Sequence, residues 1–549
     1  MSNPIVAVNV NVLVAPAPPT LQKKGALISQ GSTNTSPGTI SLLTQLSSLT
    51  PLLKGALALA SLSYLGGGNV QATTAVPHGF ATGDTIELTI AGASPSGYNG
   101  TFLCSITGAS TFVYVVPSAP GSNTTPGTYT EEDVAELLAM ATTFFAQGSA
   151  QAVSVLELGP GNASDGVTFL TAWITANPNT FYSFLVPRYW DANASFLAML
   201  GNFNATTSKT YFFVTTTLAT YQNYLSTMKC CLLLIEAPAY GAWAANALTA
   251  ISFSAGSGAG NVNATTTTAH GVLPGQYFTI SGCLPAGYNG TFLALPGTTA
   301  ETLIYAVPSN PGAESALGTL VQSQYTSAGI PATEFSLAAA FQVTLNYKPS
   351  STNKVTQLNQ AFLVGVTQFP LQGNQSLLTT LNTANISVVG TGAQGGISNT
   401  LMQGGNTKDG NPFKYWYSVD YTQINLAQSL TAVLINGANN PQNPIDYNQF
   451  GINALQRAAV STMNNGISVG LVLNPVKATT LSSADLQQTL DAGTYNANTL
   501  VNADPLASYV IENPNDYGNG VYNGISVDYT PLRGFESIQV NVTVSNFAG

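Results

Sequence analysis

The sequence predicts a multidomain protein of the α/β (α+β) class, in which a discontinuous α/β body is interrupted by two small antiparallel β domains and flanked by a β-strand arm at each terminus. Three observations predict it. One passage occurs twice, a β-α-β-α rhythm fills the chain between its copies, and both ends alternate apolar and polar residues at period two.

The first arm covers residues 1–20. Ile5, Val6, Val8, Val10, Val12 and Val14 alternate with Asn and Ala, and Pro16, Pro18 and Pro19 set the strand apart from the body. The other arm, residues 536–549, mirrors it with Ile538, Val540, Val542 and Val544. Strands with one neutral polar face are natural donors to a neighbouring sheet, although the pattern alone equally allows pairing within the same chain.

The first part of the body is expected over 21–68 and 121–251, with module 1 at 69–120 between them and module 2 at 252–320. In the copies, His78, Gly97-Tyr98-Asn99-Gly100-Thr101-Phe102-Leu103 and Tyr114 correspond to His270, Gly287-Tyr288-Asn289-Gly290-Thr291-Phe292-Leu293 and Tyr305. Runs such as 85–90 and 111–115 alternate faces, and Asn99-Gly100 and Asn289-Gly290 are expected to supply the positive φ of a tight hairpin. Two readings fit the repeated positions His78, Tyr98, Asn99, Phe102, His270, Tyr288, Asn289 and Phe292: a surface that binds a ligand, or the internal packing of a spacer.

Between the modules, Thr130-Glu131-Glu132-Asp133 reads as a capped helix start before Val134, Leu137 and Leu138. Strands are expected at 152–158, 181–186, 211–214 and Cys231–Ile235, with helices over 165–176 and after Asp191, which implies a parallel or mixed sheet covered by helices. The Gly/Ser/Ala stretch 254–260 reads as a linker into module 2. The body continues over 321–400 with a helix at 333–345 and strands near 361–366 and 385–389. A C-terminal α/β domain, 401–535, carries helices at 424–434 and 451–463 and β-rich sequence at 523–529.

Composition narrows the function. Only 7% of the 549 residues are charged, against about 25% in an ordinary soluble domain, so much of the surface is neutral and inexpensive to desolvate against other copies. Thirteen scattered basic residues in a chain of net charge −10 give no cationic stripe for nucleic acid. No apolar run is long enough for membrane insertion, and 1–20 lacks the pattern of an export signal. Cys104, Cys230, Cys231 and Cys283 are expected to be buried thiols, since they form neither a disulfide framework nor a metal-ligand spacing. The only histidines, His78 and His270, occupy equivalent places, which argues against a histidine-based triad.

The glycine-rich stretch 390–396 lacks the Lys-Ser/Thr of a phosphate-binding loop and reads as turns. No cofactor is expected. Asp409, Asp420, Asp446 and Asp528 remain as carboxylates that a polysaccharide depolymerase could pair, and Asp409 and Asp446 stand beside turn-forming residues.

The arms, the interrupted body, and the run Leu401-Met402-Gln403-Gly404-Gly405-Asn406-Thr407-Lys408-Asp409-Gly410 followed by Tyr415-Trp416 and Val419-Asp420-Tyr421 resemble contractile-tail sheath proteins of bacteriophages, in the branch described only as a sheath-like domain of unknown function. The resemblance covers most of the chain through diffuse texture. It implies a non-enzymatic subunit of a helical homopolymer of stacked rings around a tail tube protein, with baseplate and tail terminator partners. It further implies neighbours linked by exchanged terminal strands, a place in the virion tail, and assembly in the host bacterial cytoplasm. A receptor-binding adhesin that uses the repeated modules is the alternative, and a depolymerase the third.

Overall fold

A computed structural model describes residues 21–534 except 117, 149–151, 206–208, 238–245, 255–259, 268–269, 271, 273–276, 323–332, 346–353, 370–374, 392–398, 443, 474–500 and 528. Along the chain, β1 (Gly25–Ser29) and β2 (Ile40–Leu43) precede module 1, which contains β3 (Leu57–Gly66), β4 (Asn69–Thr74), β5 (Thr85–Ala91), β6 (Gly100–Gly108), β7 (Thr111–Val115) and β8 (Thr128–Glu131). Then come α1 (Glu132–Ala146), β9 (Val153–Glu157), α2 (Ala163–Ala176), β10 (Ser183–Leu185), α3 (Ala194–Ala205), β11 (Tyr211–Thr216) and β12 (Cys231–Ile235). Module 2 contains β13 (Asn246–Ser254), β14 (Gly260–Thr266), β15 (Tyr277–Ser281), β16 (Gly290–Leu293), β17 (Thr302–Val307) and β18 (Thr319–Gln322). It is followed by α4 (Ser336–Thr344), α5 (Gln375–Thr383), β19 (Ser387–Thr391), β20 (Thr400–Gln403), α6 (Phe413–Ala438), α7 (Gln449–Ser468), β21 (Val501–Ala503), α8 (Leu506–Glu512), α9 (Pro514–Gly518) and β22 (Ile525–Val527).

The body is a mixed eight-stranded sheet in the order β2-β9-β1-β10-β11-β12-β19-β20. The six inner strands run parallel, and β2 and β20 close the two edges antiparallel. Every residue of β1, β9, β10, β11 and β12 is buried, as expected for strands covered on both faces. On one face Leu27, Phe213 and Leu234 pack with α1, α4 and the start of α6; on the other Ile28, Phe212 and Leu233 pack with α2, α3 and α5. The chain passes from β1 to β9 and then back across β1 to β10, so the C-terminal ends of β1 and β10 mark the topological switch of the sheet.

Several expected bounds shift. The central strand β1 has no counterpart among the expected strands. Thr130 and Glu131 belong to β8, and α1 begins at Glu132 without a side-chain cap. Module 1 is a closed barrel from Leu57 to Glu131, wider at both ends than 69–120 because β3 and β8 pair with each other to complete it. Module 2 starts at Asn246, so the stretch read as a linker joins two paired strands, β13 and β14. Residues 361–366 form no strand and contribute only the bridge Phe362 to Leu401. β20 belongs to the body sheet although it lies inside the expected 401–535 domain, because it pairs with β19. All four cysteines are buried free thiols, as expected.

Candidate functional site

The repeated tyrosines and histidines turn inward in both modules. Tyr98 Oη donates to the Gly121 carbonyl at 2.6 Å and Tyr288 Oη to that of Gly312 at 2.7 Å. Tyr114 and Tyr305 then donate to the carbonyls of Tyr98 and Tyr288 at 3.2 and 3.1 Å. Phe102 stacks obliquely on Tyr114 with centroids 4.6 Å apart, and Phe292 on Tyr305 at 4.3 Å. These rings are the cores of the two modules.

Asn99 and Asn289 do not form the expected hairpin. Their φ angles are −85° and −89°, and positive φ occurs only at Gly100 and Gly290. Each amide instead grips one backbone residue across the loop. Asn99 Oδ1 accepts from Ala93 N at 2.8 Å while Nδ2 donates to Ala93 O at 2.9 Å, and Asn289 makes the same two bonds, both at 2.8 Å, with Cys283. A side chain that imitates a strand partner leaves no reason for the asparagine itself to turn left-handed.

The histidines follow the same rule. Nδ1 of His78 accepts from Phe80 N at 3.2 Å and Nδ1 of His270 from Val272 N at 3.0 Å. Burial holds both below the ordinary histidine range, despite opposing carbonyls of Gly108 and Thr111 beside His78 and of Thr302 beside His270. They are neutral, internal struts.

The carboxylates considered for hydrolysis also separate. Asp409 accepts from Thr407 Oγ1 at 2.6 Å, Asn411 Nδ2 at 3.0 Å and Trp416 Nε1 at 3.0 Å, which ties the turn before α6. Asp420 is buried in the body, where its Oδ2 accepts from Tyr182 Oη at 2.9 Å and Tyr211 Oη at 2.8 Å. Burial raises its pKa above the usual aspartate range. Asp446 lines a groove in the C-terminal region, and Asp528 lies outside the described residues.

The volume of that groove is about 980 Å³, and its floor is Leu426 and Leu430 of α6, Ile452 and Leu455 of α7, and Ile525 and Val527 of β22. Tyr447 and Tyr522 stand on its rim with ring centroids 6.1 Å apart, and Tyr509 packs on Tyr522 at 4.7 Å. Tyr447 Oη is fixed by the Val521 carbonyl at 2.7 Å. Beside the groove, β21 and β22 make a two-stranded sheet of three residue pairs. So short a pair is marginal alone, and here Val501, Ile525 and Val527 pack it onto α6 and α7. The apolar lining, with Asp446 as its one acidic residue, suits an extended segment that buries alternate side chains.

The arm residues Ile5, Val6, Val8, Val10, Val12, Val14, Ile538, Val540, Val542 and Val544 lie outside the described residues. Among the described residues no group of three or more His, Cys, Asp or Glu side chains is placed to hold a metal, and no helix is long and apolar enough to cross a membrane. No protein-family model matches the chain. No curated protein matches it either.

Proposed function

We propose that this chain is the structural subunit of a phage contractile tail sheath, polymerising into a helical cylinder around a tail tube through terminal strands exchanged between copies. In this reading the discontinuous α/β body forms the wall, the two β modules are inserted decorations, and contraction draws on a metastable extended state without a nucleotide. Baseplate and terminator proteins meet its two ends.

The observation that carries the reading is an apolar groove beside a short strand pair, in a chain with two strand-like donors. The short β21–β22 pair lies beside an apolar groove of about 980 Å³, and both termini alternate at period two. The occupant we assign to the groove is a terminal strand of a second copy. Two further observations support a structural role: the repeated Tyr and His residues pack inside the modules, and Asp409 and Asp420 are engaged separately, in a turn and in the body core.

Deletion of residues 1–15, or of those after Phe535, is expected to leave a folded soluble subunit that no longer forms cylinders in electron micrographs. Cylinders from the truncated chains, or outright unfolding by circular dichroism, would overturn strand exchange. Compact trimers from the full chain would favour the adhesin.

A further inference from the structure

Both β modules leave and rejoin the body at the C-terminal edge of the parallel strands, where several of the chain's few charged residues meet. At the neck of module 1, Lys54 stands just ahead of β3 and Glu131 ends β8. Their side chains meet at 3.3 Å across 77 residues of sequence. At the neck of module 2, Arg188 Nε donates to Glu236 at 2.7 Å on the outgoing chain and Nη2 to the Glu334 carbonyl at 2.8 Å on the returning chain.

The neck of module 1 is seated on the end of β1. Lys54 N donates to the Ser32 carbonyl at 2.9 Å. Gly31 has φ +78°, and a Cβ there would lie 2.7 Å from Glu131 Oε2 and 2.8 Å from Pro160 Cα, so only glycine admits the carboxyl this close. Gly31 N in turn donates to buried Glu157 at 2.7 Å, whose carboxylate also accepts from Ser29 Oγ and Thr33 Oγ1, both at 2.6 Å. On α1, Asp133 lies 3.2 Å from Tyr189 Oη, and Glu136 accepts from Arg188 N at 2.6 Å. A further hydrogen bond seats the barrel itself, from Asn162 Nδ2 to Asp84 Oδ1 at 2.8 Å. In an open α/β sheet this switch-point crevice is where a ligand would sit. Here the neck fills it.

We propose that this carboxylate cluster is a latch, which holds module 1 against the body while Glu131 and Asp133 keep their protons and frees the barrel on its two connections when they ionise. The idea does not depend on the sheath reading. Tyr189 has one hydroxyl hydrogen and two acceptors in reach, Gln30 Oε1 at 2.7 Å and Asp133 Oδ2 at 3.2 Å. A protonated Asp133 resolves this by donating to Tyr189. The groups facing Glu131 are Lys54, Tyr129, Asp133 and Glu157, so one cation stands against several acids. Burial, opposed by Lys54 and reinforced by Glu157, pushes Glu131 from its ordinary 4.5 up to about 7. Partial burial of its carboxyl, with Glu136 and Glu131 beside it, likewise holds Asp133 above the usual range, although the residue is only half-buried. Because both shifts are upward, the latch is strongest below the ordinary carboxylate value and weakens as pH rises towards 7.

Hydrogen–deuterium exchange on the full chain tests this, with rates corrected for the intrinsic effect of pH. Protection of the segments 52–58 and 126–136 is expected to fall by up to about tenfold per pH unit for each of the two carboxyls, about a hundredfold together, between pH 5 and 7, while β11 and β12 hold constant. The double variant Glu131→Gln, Asp133→Asn should keep the protection nearly flat, and Lys54→Met should deepen the fall. A flat wild-type profile, or an unchanged slope in the double variant with β11 and β12 still protected, would overturn the latch.

Discussion

In module 1, β6 runs on to Gly108 and pairs with β7 to close the barrel, whereas β16 of module 2 stops at Leu293 and leaves its sheet without that ladder. Up to that seam the two share one strand order, β6-β5-β8-β3-β4-β7 against β16-β15-β18-β13-β14-β17. On the β5 side of β6, Ile106 N donates to the Asp84 carbonyl at 2.9 Å, and the matching residue of module 2 is Pro296, which has no N–H to give, so β6 has an anchor beside the seam that β16 lacks. Two backbone bonds remain there, from Leu295 N to Ile304 O at 2.7 Å and from Thr299 N to Thr302 O at 2.8 Å. What the copies share is therefore internal hydrogen bonding, and what they vary is closure. A sequence repeat of this kind reports duplicated packing before it reports a duplicated binding surface.

The largest way to break the comparison is to impose the proline on the closed barrel. Ile106→Pro removes the donor to Asp84 and a buried core side chain, and it should cost module 1 about 3 kcal/mol or more. Denaturant unfolding followed by exchange in residues 57–131 measures it. A loss below about 1 kcal/mol would show that this anchor of β6 contributes little.

The amide clamps should cost less and cost both modules alike. Asn99→Ala and Asn289→Ala each strand one N–H and one C=O, at about 1–3 kcal/mol. Matching losses in the two modules would confirm a local strut. A markedly larger loss in module 2 would instead mean that ladder closure buffers module 1.

The comparison also shows what was legible in the chain. β9, α2, β10, β11 and β12 appear within a few residues of their expected places, because strands buried on both faces are continuous apolar runs bounded by clear breaks. β1 was not, since Gly25-Ala26-Leu27-Ile28-Ser29 offers only three apolar residues beyond Lys23-Lys24, and its place between β9 and β10 is a tertiary fact that no local pattern carries. β8 was hidden by Thr130, whose hydroxyl imitates a helix cap. The groove was invisible because it joins α6, α7 and β22 from three separate stretches. The necks left a trace that could have been read: in a chain with 7% charged residues, Lys54, Glu131, Asp133, Glu136, Glu236 and Glu334 all flank the repeats.

The smallest expected effect sharpens the comparison most. Pro296→Ile in module 2 restores a backbone donor where module 1 has Ile106, which is worth about 1 kcal/mol if the ladder forms. Releasing the proline returns about 0.4–1 kcal/mol of freedom to the unfolded chain, so the net change in global stability should be close to zero. The local effect is different in kind. If the missing donor is what ends β16, amides 295–297 and those of β17 should gain protection, and the pairing seen between Ser105 and Val113 in module 1 should extend through the seam. The two copies also differ in length here: Leu103 to Tyr114 spans one residue fewer than Leu293 to Tyr305, so module 2 must fit a longer turn into the same gap. Unchanged protection, or a loss of more than about 1 kcal/mol, would assign the open seam to that extra residue and not to the proline.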